Sequence, residues 1–80
     1  MESYIGQIAL FPYSFAPSGW APCAGQILLI PRHIALFGLL GTNFGGDGRQ
    51  TFALPDLRGK EPLTGTHYCI ALEGIFPSAT

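Results

Sequence analysis

A glycine-rich connection, a short extended segment and a further turn follow one another in the stretch Gly45-Gly-Asp-Gly-Arg-Gln-Thr-Phe-Ala-Leu-Pro-Asp-Leu-Arg-Gly59. Glycine and aspartate favour tight turns, whereas the segment 51–54 contains the β-branched and aromatic residues that strands prefer. That segment stops at Pro55, because proline has no N–H to donate to a strand ladder. We therefore predict a short strand over 51–54 between two turns, the second of which spans 56–60.

The glycines of this stretch also suggest a phosphate-binding loop. The Walker pattern requires Gly-Lys-Ser/Thr, however, and the acid at position 47 would repel phosphate. No β-α-β unit surrounds the glycines, so a dinucleotide site is not expected either. We predict a structural turn in which Asp47 pairs with Arg49, and a second ion pair of the same spacing between Asp56 and Arg58.

Apolar segments at the two ends of the chain are typical of strands: Tyr4–Phe11, which stops at Pro12, and Tyr68–Ile75. The two segments are similar in sequence and could pair in one sheet. Their apolar residues lie on both faces, as in a strand that is covered by the core on one side and by a neighbouring subunit on the other. The candidate interface residues are Ile5, Ile8, Ile70, Leu72, Ile75 and Phe76.

The segment between the first strand and the glycine-rich stretch predicts a loop, a hairpin and a helix. Residues 12–19 have loop composition, and Trp20, the largest hydrophobe, is the expected core anchor. Ala24-Gly25 is expected to be the tight turn of a hairpin between the segment ending at Cys23 and the apolar run 26–30.

A helix is predicted over Pro31–Leu40. Proline suits a first helical turn, Ile34, Phe37 and Leu40 recur three residues apart, and Gly41 can cap the C-terminus. With the short strands on either side, the sequence predicts an α+β fold with long loops rich in glycine and proline.

The composition predicts a protein that associates with copies of itself. The 80 residues are 48% hydrophobic and 11% charged, whereas a soluble domain usually has about 25% charged residues. A chain this short buries only about 60% of its unfolded surface. Apolar patches therefore stay exposed, and symmetric association of identical copies is the commonest way to cover them.

Other classes of function are not expected. The net charge is -1 and there is no run of Lys and Arg, so nucleic-acid binding is not predicted. The N-terminus lacks the features of a signal peptide and no apolar run reaches 18 residues, so we expect synthesis in the cytoplasm and no membrane insertion. The serines, histidines and acids form no catalytic pattern, so we expect neither catalysis nor a cofactor.

The two cysteines, Cys23 and Cys69, are too few for a disulfide framework. We expect two buried thiols, with a disulfide as the alternative. One chain offers too few adjacent ligands for zinc, so we predict no metal. The alternative is that His67 and Cys69, which point the same way on a strand, meet their copies at a symmetry axis.

Several motifs in order make residues 1–59 resemble the phage tail collar domain family, which includes bacterial proteins named as microcystin-dependent. The first strand is similar, Phe15-Ala-Pro-Ser-Gly-Trp-Ala-Pro-Cys-Ala-Gly-Gln26 matches the family's F-A-P-x-G-W-x-x-C-x-G-Q signature, and residues 30–46 resemble its helix end. The stretch 45–59 matches its most recognisable blocks. The structural and assembly residues that these motifs contain are Trp20, Cys23, Gly25, Gly45, Gly46, Asp47, Gly48, Arg49, Phe52, Leu54, Pro55, Asp56, Leu57, Arg58 and Gly59.

The resemblance implies a single collar-like domain over 1–80, with the motif region at 1–59, a shortened connection at 60–66 and a terminal strand segment at 67–80. Relatives usually have a longer region rich in glycine and serine after the position of Lys60. In the short tail fibres of contractile phages, a His-x-His pair holds a metal. This chain has His67-Tyr68-Cys69 instead, so the resemblance carries over no metal.

The resemblance and the composition together imply a non-enzymatic structural module of a phage-tail-fibre-like or filamentous particle. It would act as a homo-oligomer, with a trimer favoured, and would stack or contact other tail or fibre proteins in a virion, a tail-like particle or an extracellular filament. The alternative is an adhesion module that binds a cell-surface glycan or protein through loop aromatics. The candidate ligand-binding residues are Tyr13, Phe15, Asn43 and Phe44. A peptide-directed enzyme is a third class, which the lack of a catalytic pattern disfavours.

Overall fold

The computed structural model describes residues 3–78, which form five short strands, a 3-10 helix and one α-helix. The strands are β1 (Ile8–Phe11), β2 (Trp20–Pro22), β3 (Ile27–Leu29), β4 (Thr51–Ala53) and β5 (His67–Ala71), and the helices are a 3-10 helix (Ile30–Arg32) and α1 (Ile34–Leu40). The predicted α+β class is confirmed.

The first and last strands are neighbours in a three-stranded antiparallel sheet with the order β1-β5-β2. Ile8 lies opposite Ile70 in the β1–β5 pair, and Trp20 lies opposite Ala71 in the β2–β5 pair. The predicted pairing of the terminal strands is therefore confirmed. Residues 69–71 of the central strand are fully buried, and strands cover both of its edges.

The predicted hairpin around Ala24-Gly25 is wrong. The chain changes sheets at this turn, because β2 pairs with β5 whereas β3 pairs with β4 in a separate two-stranded sheet. The side chain of Gln26 closes the turn locally: Oε1 accepts the Ala24 N–H at 3.2 Å, and Nε2 donates to the Pro22 carbonyl at 2.9 Å. The Gly25 N–H donates to the Pro55 carbonyl at 3.2 Å, so the turn is bonded to the segment after β4 and not to a hairpin partner.

The predicted helix over Pro31–Leu40 is divided in two at His33. His33 has φ -143 and ψ 49, which is not helical, and its N–H donates to the Ile30 carbonyl to end the 3-10 helix. Gly41 caps α1 as predicted, with φ +56 and an N–H bond to the Phe37 carbonyl at 2.7 Å. The buried face differs from the prediction, because Leu36 is enclosed whereas Ile34 is exposed.

The strands are shorter than the sequence predicts. A turn at Gly6, where φ is +82, separates β1 from the residues before it. Tyr4 instead forms a parallel bridge with Ile75, beyond the end of β5. The strand predicted over 51–54 ends at Ala53, although the Leu54 N–H still donates to the Gln26 carbonyl ahead of Pro55.

The core lies between the two sheets and α1, and Phe52 is its centre. Cys23, Leu36, Leu54 and Ile70 are buried against it. The ring of Phe37 meets that of Phe52 edge-on, with centroids 5.5 Å apart. Complete burial of a phenylalanine contributes about 1.5–3 kcal/mol. Trp20, the expected core anchor, is only half-buried and lies outside this cluster, edge-on to Phe11 at 5.1 Å.

Candidate functional site

Two motif blocks that are about thirty residues apart in sequence lie side by side in the fold. The Leu57 N–H donates to the Cys23 carbonyl at 2.9 Å, and the Gly25 N–H donates to the Pro55 carbonyl at 3.2 Å. Ala24 forms an antiparallel bridge with residue 56. The block around Cys23 and the block around Pro55 therefore form one hydrogen-bonded unit next to the core.

Asp56 and Arg58 form the predicted ion pair at the outer edge of this unit. The guanidinium binds both carboxylate oxygens, with Nε to Oδ1 at 2.9 Å and Nη2 to Oδ2 at 2.7 Å. These side-chain hydrogen bonds, together with the one from the Arg58 amide, lower the pKa of Asp56 to about 2. Gly25 has φ +75 and faces Asp56 closely: a Cβ at that position would lie 3.3 Å from the Asp56 Cβ.

Asp47 stabilises its turn by a different interaction from the one predicted. Its Oδ1 accepts the backbone N–H groups of Arg49, Gln50 and Thr51 at 2.8, 2.9 and 3.0 Å. The Thr51 hydroxyl in return accepts the Asp47 N–H at 3.1 Å. The amides, that of Gln50 first, lower the pKa of Asp47 to about 2. Within residues 3–78 the Arg49 guanidinium makes no ion pair, so the predicted pairing is wrong.

The glycines ahead of Asp47 bring the backbone of this loop against β4. Gly46 has φ +91, and a Cβ there would overlap Phe52 Cα and lie 2.7 Å from the Thr51 carbonyl oxygen. The Gly45 carbonyl accepts the Ala53 N–H at 3.1 Å, and the Gly48 N–H donates to the Thr51 carbonyl at 2.9 Å. The loop thus covers the β4 edge that does not face β3, which is a structural role.

Both cysteines are buried free thiols, as predicted. Burial first, and then the proximity of Cys69, raises the pKa of Cys23 to about 11; burial likewise raises the pKa of Cys69. Neither thiol is a nucleophile at neutral pH, because the thiolate is the reactive form. Cys69 is enclosed by its own chain whereas His67 is exposed, so the pair cannot meet its copies at a symmetry axis as the alternative required.

Residues 3–78 contain no group of three or more His, Cys, Asp or Glu side chains that could hold a metal ion. Nor is any helix in that range both long and apolar enough to cross a bilayer.

Comparison with known families identifies the family to which these motif blocks belong. The sequence profile of the Phage Tail Collar Domain family matches residues 6–62, well over half of the chain. The chain belongs to this family. The matched range includes β1 to β4 and both of the hydrogen-bonded motif blocks, but ends before β5. No curated protein and no solved structure matches the chain.

Membership indicates that the collar domain is a structural module of a phage tail fibre, and hence a virion component, in a family that is structural and not enzymatic. The closing strand β5 lies outside the match yet occupies the centre of the larger sheet. The segment after residue 62 is therefore needed to complete the sheet.

The collar domain brings only some of the candidate interface residues to one surface. Bonds from Ile5 N–H to the Ile75 carbonyl and from Ile75 N–H to the Ser3 carbonyl, both 2.9 Å, join the two ends of the described chain. Tyr4, Ile75 and Phe76 are exposed there, and we call these three residues the terminal patch. Ile8 is also exposed, on the edge strand β1.

The remaining interface candidates are located in or against the core. Ile70 is 0% exposed, so it cannot contact another copy in this fold. Ile5 and Leu72 are half-buried and pack against the core cluster. These three side chains therefore belong to the core or its margin, and not to a surface between copies.

The candidate ligand-binding residues fall into two groups. The rings of Phe11, Tyr13 and Phe15 form a stacked ladder, with centroids 5.6 Å and 4.7 Å apart. Asn43 and Phe44 are instead exposed on the loop after α1. The four candidate residues therefore lie on two different loops, one between β1 and β2 and the other between α1 and β4.

Two structural residues were missing from the sequence-based candidates. Gln26 closes the turn between the sheets, and its place as the last residue of the matched signature was a signal for it. Gly74 lets the chain ends meet: φ is +142, and a Cβ there would overlap the Ser3 carbonyl oxygen. A glycine inside an apolar strand pattern is a sign of such a close approach.

Proposed function

We propose that this collar domain is a non-enzymatic assembly module that forms homo-oligomers, with a trimer as the expected unit, in a phage-tail-fibre-like or filamentous particle. Copies stack on one another or contact other tail or fibre proteins. The observation that carries the proposal is the amount of apolar surface left exposed. Membership of the collar family supports the tail-fibre setting.

The surface of the isolated chain is larger than its mass requires. Its accessible area is 5319 Å², whereas a globular monomer of this size exposes about 4,700 Å². The exposed large hydrophobics of residues 3–78 are Tyr4, Ile8, Tyr13, Phe15, Ile27, Leu29, Ile34, Phe44, Leu63, Ile75 and Phe76.

The terminal patch is the proposed contact between copies. Tyr4, Ile75 and Phe76 are 55%, 46% and 54% exposed, although hydrogen bonds hold the backbones of Tyr4 and Ile75 in place. Complete burial of such side chains contributes about 1.5–3 kcal/mol each, so covering the exposed half contributes about 1 kcal/mol each. Loss of Ile75 and Phe76 from a contact should therefore weaken association by roughly 2 kcal/mol, or about thirtyfold.

The test is the mass of the full chain in solution, measured by light scattering over a range of concentrations. We expect a discrete multiple of the monomer mass of 8.6 kDa, and a shift towards monomer in the double variant Ile75→Ser, Phe76→Ser. The matched control is Phe44→Ser with Leu63→Ser, since both are exposed on other loops. Electron microscopy of the same samples separates closed oligomers from stacked filaments.

The wild-type chain remaining monomeric at every concentration would refute the assembly function. If the wild type assembles but both double variants shift equally towards the monomer mass, the terminal patch is not the contact. Circular dichroism spectra of both variants verify that the fold is retained.

Adhesion is a second candidate function, and the aromatic ladder favours it. Tyr13 is 39% and Phe15 is 65% exposed, although the rings stack on one another. Exposed aromatic faces on loops are suited to binding a cell-surface glycan or protein. This function is compatible with assembly because the ladder and the terminal patch share no residue.

A further inference from the structure

A groove with a volume of about 320 Å³ opens beside the aromatic ladder, and its walls include Ser3, Gln7, Phe11, Tyr13 and Trp20. We propose that this groove binds a single neutral pyranose ring, one sugar residue of a larger glycan. The inference rests on the proposed adhesion function, to which it assigns both a site and a chemical class of ligand.

The shape of the groove comes from rings that hold each other in place. Phe11 and Tyr13 stack at 29°, and Trp20 stands nearly perpendicular to Phe11, at 82°. Phe15, outside the groove, stacks on Tyr13 and restrains its ring. Because the rings are already held in place, binding a ligand against them costs little side-chain entropy. Their apolar surface complements the flat C–H face of a pyranose.

Polar groups at the groove match the hydroxyls of a sugar. The Oε1 atom of Gln7 accepts the Tyr4 N–H at 3.1 Å, which orients the amide. No acceptor within residues 3–78 is bonded to the Gln7 Nε2, so its N–H groups are available to a ligand. The Trp20 indole can only donate, whereas the Ser3 and Tyr13 hydroxyls can donate and accept. Sugar hydroxyls can bond to all of these groups.

The charge and size of the groove disfavour other ligands. No charged side chain among residues 3–78 lines it, so nothing there would neutralise a phosphate, a carboxylate or an ammonium group. Its volume is at the low end of the ~300–1,000 Å³ of small-molecule sites, which suits one ring. A proline-rich peptide is the main competing occupant, because such segments also dock on aromatic grooves.

The test uses the only tryptophan of the chain, Trp20, as the reporter. Its fluorescence is titrated in the full-length protein with the methyl glycosides of glucose, galactose, mannose and N-acetylglucosamine, and with a PxxP peptide. We expect a saturable change with at least one glycoside and none with the peptide. Tyr13→Ala should weaken that binding by about tenfold, whereas Tyr13→Phe, which keeps the ring, should weaken it much less.

Two further variants make the test specific. Gln7→Glu keeps the oxygen that accepts from Tyr4 but removes the amide donor, so glycoside binding should fall while the fold is kept. Phe44→Ala, an exposed aromatic outside the groove, should bind like the wild type. Absence of a saturable response to all four glycosides, binding of the peptide alone, or equal affinity in Tyr13→Ala would each overturn the proposal. The mass of the same samples reports the assembly function separately.

Discussion

Replacement of Gly46 by alanine should remove a large part of the stability of the collar domain. Gly46 lies against β4 with φ +91, and a Cβ there would sit 2.7 Å from the Thr51 carbonyl oxygen and 2.8 Å from the Phe52 nitrogen. Both neighbours are backbone atoms of a strand that is paired with β3, so they cannot move aside without disturbing the core around Phe52.

The magnitude follows from two contributions. A non-glycine residue at such a φ costs on the order of 1–3 kcal/mol. Movement of the loop away from β4 breaks the hydrogen bonds from Ala53 N–H to Gly45 and from Gly48 N–H to Thr51, each contributing about 0.5–1.5 kcal/mol. A loss of roughly 3–4 kcal/mol results, from the ~4–12 kcal/mol expected of a domain this size.

Urea unfolding measures this loss, with far-UV circular dichroism and Trp20 fluorescence as probes and with equal protein concentrations, because assembly shifts the apparent stability. The matched control is Gly38→Ala on the exposed side of α1, where a Cβ would meet nothing within 4 Å. The same substitution there should stabilise by about 0.5–1 kcal/mol. A Gly46→Ala variant within ~0.5 kcal/mol of wild type would refute the close-approach argument.

Two further predictions concern ionisation. The pKa of Asp47 is lowered to about 2 by the amides of Gln50, Arg49 and Thr51, so its carboxylate stabilises the fold above about pH 4, and that contribution is lost as the pH falls towards 2. Asp47→Asn should flatten the urea midpoint against pH in this window; an unchanged slope would contradict the assigned role. The pKa of Cys23 is raised to about 11, so the stabilisation by its neutral thiol is full below about pH 8.5 and is lost as the pH rises through 11. Cys23 and Cys69 should therefore resist iodoacetamide at pH 8 until urea unfolds the chain, and rapid labelling of the native protein would contradict their burial.

Local chemistry explains which elements could be predicted from the sequence. Gly41 ends α1 because the chain needs a positive φ at that point, and Asp56 pairs with Arg58 two residues away. Proline and glycine residues end most strands within a few residues of the predicted positions. Each of these features depends on atoms that are close in sequence, so the pattern alone carries the information.

The hairpin around Gly25 shows where this reasoning fails. The segments on either side are apolar and separated by a tight turn, as in a hairpin. Which strand each one joins depends on β4 and β5, which lie at least twenty residues further along the chain. The incomplete burial of Trp20 and the complete burial of Phe52 have the same origin, since size and hydrophobicity do not tell which ring the sheets enclose.

The candidate interface could likewise be predicted only in part from the sequence. Apolar composition indicated that surface would be left for a partner, but the choice of side chains was decided when β5 took the centre of the sheet and enclosed Ile70. Gly74 then allowed the chain ends to meet and to expose Ile75 and Phe76 together.

The stretch 45–59 shows both the features that depend on adjacent residues and those that depend on the fold. A glycine turn, a short strand and an Asp-Arg turn could be predicted there in order, because backbone freedom and short-range hydrogen bonds are properties of adjacent residues. The fold adds that Gly46 lies against Phe52, that Cys23 is joined to Leu57, and that Asp47 binds backbone amides, that of Arg49 among them, and not the Arg49 guanidinium. Such contacts depend on segments distant in sequence, or on competition between nearby partners that folding resolves.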